Sequence, residues 1–149
     1  QILNSWHSII PTGAGRGEKF YEAVKQFIAV AEIPHVLVEA KTVAPISTEK
    51  RRQKEIQHEC LHIHGSAGPI AGYNVYVVAW DYGKHLIVAR YLVAKTSAGA
   101  LSLFEKEELG ACLNLLHSGV IHATEQMMNE LEQDLSKINK ESEGSYIFS

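Results

Sequence analysis

Cysteine is scarce in this chain: Cys60 and Cys112 are the only two in 149 residues. Two thiols make no disulfide framework, so nothing demands an oxidising compartment, and a cytoplasmic setting is the expectation. Also lacking are an apolar run near the roughly 18 residues of a membrane span and a charged-then-apolar leader. No membrane segment is therefore expected in these residues. Charge of one sign is short too. The net charge of -3 gives no general pull toward nucleic acid or anionic lipid, so neither is an expected partner. The chain opens at Gln1 without an initiator methionine, as a processed or trimmed chain would. No internal repeat and no low-complexity tract appears. What is present is ordinary for a folded protein: 46% hydrophobic and 21% charged residues, in a length that suits one domain.

Periodicity gives the elements. Phe20, Val24, Phe27, Ile28 and Ala31 recur at helical spacing, and Ile33-Pro34 should end that helix. Residues 1–16, with Gly13 and Gly15 and with Gly17 just beyond, read as a flexible lead-in. Four strands are expected: 35–44, 55–64, 73–82 and 85–96. Ser102 and Glu105 have the spacing of a capping box at the start of a long helix. Its apolar positions run from Leu109 through Met127 to Leu131, Leu135 and Ile138. The arc is wide as far as Met128 and then narrows to one stripe, as in a surface or partner-facing tail. Gly119 suits a bend or a close helix crossing. Residues 141–149 read as a frayed tail, with 145–149 alternatively a small strand. Short links between successive strands favour antiparallel pairing. The expected fold is one α+β domain over 1–149, a mainly antiparallel four-stranded sheet flanked by an N-terminal helix and a long C-terminal helix.

The two strands around Asp81-Tyr82-Gly83-Lys84 form the clearest hairpin, since glycine accepts a positive φ in a tight turn. With Asp81 opposite Lys84, Trp80 pairs with His85, Val78 with Ile87, Tyr76 with Ala89 and Asn74 with Tyr91. One face is then almost wholly aliphatic: Val75, Val77, Ala79, Leu86, Val88 and Leu92, with Tyr73 and Arg90. That face should be the core. The other mixes rings with polar tips. Strands apolar on both faces point to burial on both, beneath the long helix or a second copy. The alternative is a ligand pocket lined by Tyr76, Trp80, His85 and Tyr91, with Asn74 as a polar anchor.

His58, Cys60, His62 and His64 alternate along the strand 55–64, so their side chains share a face. Imidazole and thiolate are natural zinc ligands. A straight strand cannot bring all four to one ion, and no CxxC or HExxH accompanies them. Histidines also titrate near neutrality, so a pH response needs no metal. Glu39-Ala40-Lys41 resembles the ExK element of metal-dependent nucleases over three residues. That resemblance implies magnesium on carboxylates, a lysine steadying water, and an upstream acid. The available aspartates are Asp81 and Asp134. The glycines before the first helix could cradle a phosphate beside Arg16 and Lys19, although no Walker ending follows. His122 and Glu125 share a helix face as a lone pair. Residues 41–54 carry a local charge of +4, and the chain from Leu101 onward carries -6. No GxSxG elbow occurs.

These features favour a non-enzymatic α+β module that binds a small ligand or a protein partner, self-associates, and needs no cofactor. The alternative is a zinc-type, metal-dependent enzyme using the histidine row. A third reading is a regulatory domain of a longer chain. No match to a known family spans a useful length.

Overall fold

The computed structural model describes residues 2–43, 58–95 and 99–144. In chain order the elements are β1 (Ile2–Ile10), α1 (Gly17–Ala31), β2 (Val36–Val43), β3 (His58–Gly65), β4 (Tyr73–Tyr82), β5 (His85–Ala94), α2 (Leu103–Glu130) and the two-residue β6 (Glu143–Gly144). The sheet order is β2-β3-β4-β5-β1-β6, and every pairing is antiparallel. The fold is thus α+β with an antiparallel sheet and two helices, but five long strands replace the four expected. The extra one is β1, in the stretch read as a flexible lead-in. It is anchored along β5 from Ile2↔Val93 to Ile10↔Leu86.

β1 hid in the sequence because its inward side alternates polar with apolar. Asn4, Trp6, Ser8 and Ile10 are all buried. A strand with Asn and Ser on its core side does not read as amphipathic, and their burial depends on partners that lie far along the chain.

Both helices lie on the aliphatic side of the sheet. Phe20, Val24 and Ile28 of α1 and Leu116, Val120 and Met127 of α2 join Trp6, Val75, Val77, Val88 and Leu92 in one core. The helices meet closely at Gly119, where an added Cβ would stand 2.7 Å from the Phe27 ring. The close-crossing reading of that glycine therefore holds. The Tyr21 hydroxyl ties α1 to the sheet where the β3–β4 ladder stops at Cys60↔Val78. It accepts the Ala79 N–H at 2.7 Å and donates to the Glu59 carbonyl at 2.8 Å. Burial pushes this phenol up to about 12.

The hairpin forms with a different tip. Tyr82 lies opposite His85, so Gly83 and Lys84 make the turn, and Gly83 supplies a φ of 60°. Trp80 now faces Ile87, Val78 faces Ala89, and Tyr76 faces Tyr91. The register moves by two residues, one full period of a strand, so the division into faces survives. Val75, Val77, Leu86, Val88 and Leu92 are buried as expected, with Arg90 among them. The ring-bearing face, however, is not beneath the long helix: α2 packs on the opposite side.

α2 carries the capping box: Ser102 Oγ accepts the Glu105 N–H, and Glu105 Oε1 accepts the Ser102 N–H. The helix ends at Glu130, short of the apolar stripe. Glu132 adopts a left-handed φ of 54°, while its N–H reaches the Asn129 carbonyl and the Gln133 N–H the Met128 carbonyl. This is a Schellman closure. The chain then folds back, and Ile138 is buried in the core with Leu131 and Leu135 packed against it. The narrow stripe is consequently not a partner-facing helical tail. At the tail, Glu143–Gly144 pair with β1, and residues 145–149 lie outside the described residues. No described helix is long and apolar enough to cross a membrane.

Candidate functional site on the outer face of the sheet

Strand alternation sends Glu39 and Lys41 of β2, Cys60, His62 and His64 of β3, Asn74, Tyr76 and Trp80 of β4, and Tyr91 of β5 to the face away from the helices. Register then sets the rows. Glu39 lies opposite His62, His62 opposite Tyr76, and Tyr76 opposite Tyr91. One row beyond, His64 lies opposite Asn74.

His62 is the hub. Its Nδ1 stands 3.0 Å from Glu39 Oε1, and its Nε2 stands 2.8 Å from Asn74 Oδ1. Its ring stacks on His64 with centroids 4.6 Å apart and on Tyr76 at 5.0 Å. Packed this way it is only 9% exposed. His64 Nε2 approaches the same Glu39 oxygen at 3.6 Å. The hydrogen bond from His62 holds the Glu39 carboxyl below the usual carboxylate range; burial opposes it, and the electrostatic effects of His64, His62 and Lys41 add to the lowering. Lys41 Nζ lies 5.9 Å from the Tyr76 ring centre.

Of the five residues expected to bind a ligand, Asn74 and Tyr76 meet His62, and Tyr91 lies opposite Tyr76 on the next strand. Trp80 shares their face but lies four residues along β4 from Tyr76, roughly 13 Å at ~3.3 Å per residue. His85 does not pair with Trp80. It sits at the hairpin end, where its Nδ1 accepts the Thr12 N–H at 3.1 Å. Of the four expected metal ligands, His62 and His64 converge, and Glu39 joins them. Cys60 shares the face but is buried, and burial raises its thiol pKa. It is not in the three-residue group found among the described residues. His58 opens β3, and its side chain lies outside the described residues.

Other candidates separate. Asp81 Oδ1 accepts the Gly15 N–H at the hairpin tip, and Asp134 Oδ1 accepts the Ser136 N–H. Neither joins Glu39, and among the described residues the nuclease-like triplet has no second carboxylate grouped with it. The glycine-rich turn spends its amides internally. Gly13 N–H reaches the Ile10 carbonyl, Ala14 N–H the Lys84 carbonyl, and Arg16 pairs with Glu130 at 2.8 Å. His122 packs on Phe27, with ring centres 5.6 Å apart. Of the basic stretch 41–54, residues 44–54 lie outside the described residues. On the helix side, an apolar depression of about 140 Å³ is lined by Ile33, Ile70, Leu109, Cys112 and Leu115 among others.

No family model matches the chain, and no curated protein does. Among solved structures, the protein TTHA0849 from Thermus thermophilus is similar at 12% identity and a TM-score of 0.40, over 89% of this chain and 100% of that one. Likeness at this level defines neither a family nor an activity.

Proposed function

We propose that the protein is a non-enzymatic binding module that takes a small ligand on the outer face of its sheet. The observation that carries this is the hydrogen-bonded run Glu39–His62–Asn74, stacked against Tyr76 on the face opposite the helices. Rings that present a flat apolar surface beside a few fixed polar atoms are what orients a small molecule. Lys41 Nζ stands 5.9 Å from the Tyr76 ring centre, where it can meet a carboxylate, so the favoured ligand is planar and anionic. Benzoate, salicylate and nicotinate are suitable probes in amide-resolved NMR titrations. The expected result is shifts at His62, Asn74, Tyr76 and Tyr91. Silence at those amides with all three probes, or shifts only around the helix-side depression, rejects the reading.

Self-association is part of the proposal. Leu103 and Phe104 at the start of α2 are 70% and 82% exposed, surface that a second copy would cover. Sedimentation showing only monomer at micromolar concentration rejects that part. A metal-dependent enzyme is the second reading, favoured by the convergence of Glu39, His62 and His64. The nearby Cys60 thiol, buried and raised in pKa, is a poor nucleophile for it.

A further inference from the structure

We propose that Glu39, His62 and His64 bind one divalent transition-metal ion of the zinc class on the outer face, through a Glu39 carboxylate oxygen, His62 Nδ1 and a ring nitrogen of His64. The proposal deepens the outer-face reading and rests on it: the ion is the means by which that face holds an anionic ligand.

Geometry comes first. One ligand atom from each residue lies within 4.8 Å of the other two. Bonds of ~2.0–2.2 Å to a zinc ion put neighbouring ligand atoms roughly 3.0–3.6 Å apart. The separations from Glu39 Oε1 are 3.0 Å to His62 Nδ1 and 3.6 Å to His64 Nε2. The backbone enforces this grouping. His62 and His64 stand two apart on β3, and β2 delivers Glu39 directly opposite His62.

The ring nitrogens of His62 are placed for this. Nε2 stands 2.8 Å from Asn74 Oδ1 and Nδ1 stands 3.0 Å from Glu39 Oε1. With the N–H on Nε2, Nδ1 is the nitrogen that turns its lone pair to an ion beside Glu39. A metal-bound histidine whose other ring nitrogen donates to an oxygen acceptor is the usual arrangement of an ion's outer partners, and it fixes the tautomer and the ring plane. Stacking on Tyr76 fixes that plane further, while His64, stacked at 20° to His62, must turn out of that stack for both lone pairs to reach one ion. The ligands are two nitrogens and one oxygen. This suits zinc and neighbouring divalent ions better than calcium or magnesium, which take oxygens, or Cu(I), which takes sulfur. Three protein ligands leave coordination positions free, and an anionic ligand lying over Tyr76 and Tyr91 would fill them.

The test uses the untagged full chain stripped with a chelator, then titrated with Zn2+ by calorimetry and with Co2+ by visible absorption. Expected are one ion per chain, cobalt bands in the visible, and at least a tenfold loss of affinity in both Glu39→Gln and His64→Ala. Asn74→Ala should weaken binding about tenfold while its circular dichroism matches the parent, because it acts through His62. His122→Ala, on α2, should change nothing. Absence of stoichiometric binding, or binding unchanged in both ligand variants, overturns the proposal. Repeating the benzoate titration with and without Zn2+ separates the two readings. Shifts at Tyr76 and Tyr91 that ignore the ion leave the outer-face reading standing and remove the metal's role. Stoichiometric zinc binding with no benzoate shift in either state removes the small-ligand reading instead.

Discussion

At the residue scale the histidine row was half legible. Alternation alone puts His62 and His64 on one face. The partner of His62 across the sheet depends on register, and the two strands are joined by the long segment 44–57, whose length fixes no pairing. Glu39 therefore stood out only beside Lys41, as a nuclease-like triplet, and Asn74 as a ligand anchor. The thiols are sharper. Burial, and then the charge of Glu108, push the Cys112 thiol up to about 11. At pH 8 roughly a thousandth of it is thiolate. A disulfide exchange reagent such as DTNB should react with the native protein slowly at pH 8, about tenfold faster for each pH unit up to that value, and at once after unfolding. Rapid native labelling at neutral pH contradicts this. Gly65 is constrained by space, since an added Cβ would meet Ile70 Cγ2 at 2.3 Å and the Ala71 amide nitrogen at 2.7 Å. The backbone contact cannot move aside as a side chain can. Gly65→Ala should cost about 1–3 kcal/mol in urea unfolding, and a loss below measurement error shows the turn gives way.

At the element scale, local chemistry was readable and long-range support was not. The Ser102–Glu105 capping box follows from four residues and forms as read. Ser102→Ala should cost about 1 kcal/mol in chemical unfolding, because the Glu105 N–H loses its acceptor. The other end of α2 is not legible in the pattern. The apolar stripe runs past Glu130, and nothing in the pattern shows the chain reversing at Glu132. No glycine marks that left-handed position, which glutamate occupies at a steric cost. Glu132→Gly should stabilise the protein by roughly 0.5–1 kcal/mol, seen as a Tm rise of about 2–4 °C. A fall in Tm means that the glutamate side chain contributes more than the backbone strain removes. β1 is illegible because its buried polar groups find their partners far along the chain. Its Asn4 is buried because Arg90 Nη2 donates to it at 2.6 Å and because it donates to Ser142 at 3.2 Å, contacts 86 and 138 residues away along the chain.

At the scale of the whole molecule, those contacts belong to a polar seam that docks the C-terminal tail. Arg90 Nε donates to His117 Nδ1 at 3.1 Å, and His117 Nε2 faces the Lys140 carbonyl at 3.3 Å. The Trp6 indole N–H donates to the Asn139 carbonyl, and the His117 ring meets Trp6 edge to face at 5.9 Å. This arrangement requires a neutral His117 with its proton on Nε2, because Nδ1 must accept from the guanidinium. Burial first, then the positive charge of Arg90, lower its pKa below the ordinary 6.5, against the raising effect of the Lys140 carbonyl. With the folded value below the unfolded one, the unfolded chain takes up the proton first. The stability that His117 contributes is therefore fully present above about pH 6.5 and is lost as the pH falls through the lowered value. The ring is half-buried, so solvent screening keeps the effect to a fraction of ~1 kcal/mol. Between pH 7 and pH 5 the denaturation midpoint should fall, and Trp6 emission should change as the tail loosens. His117→Gln keeps a neutral polar group there and should flatten the fall while leaving the midpoint at pH 7 little changed. An equal fall in the variant would mean that another group governs acid lability and that the seam is not what couples the tail to pH.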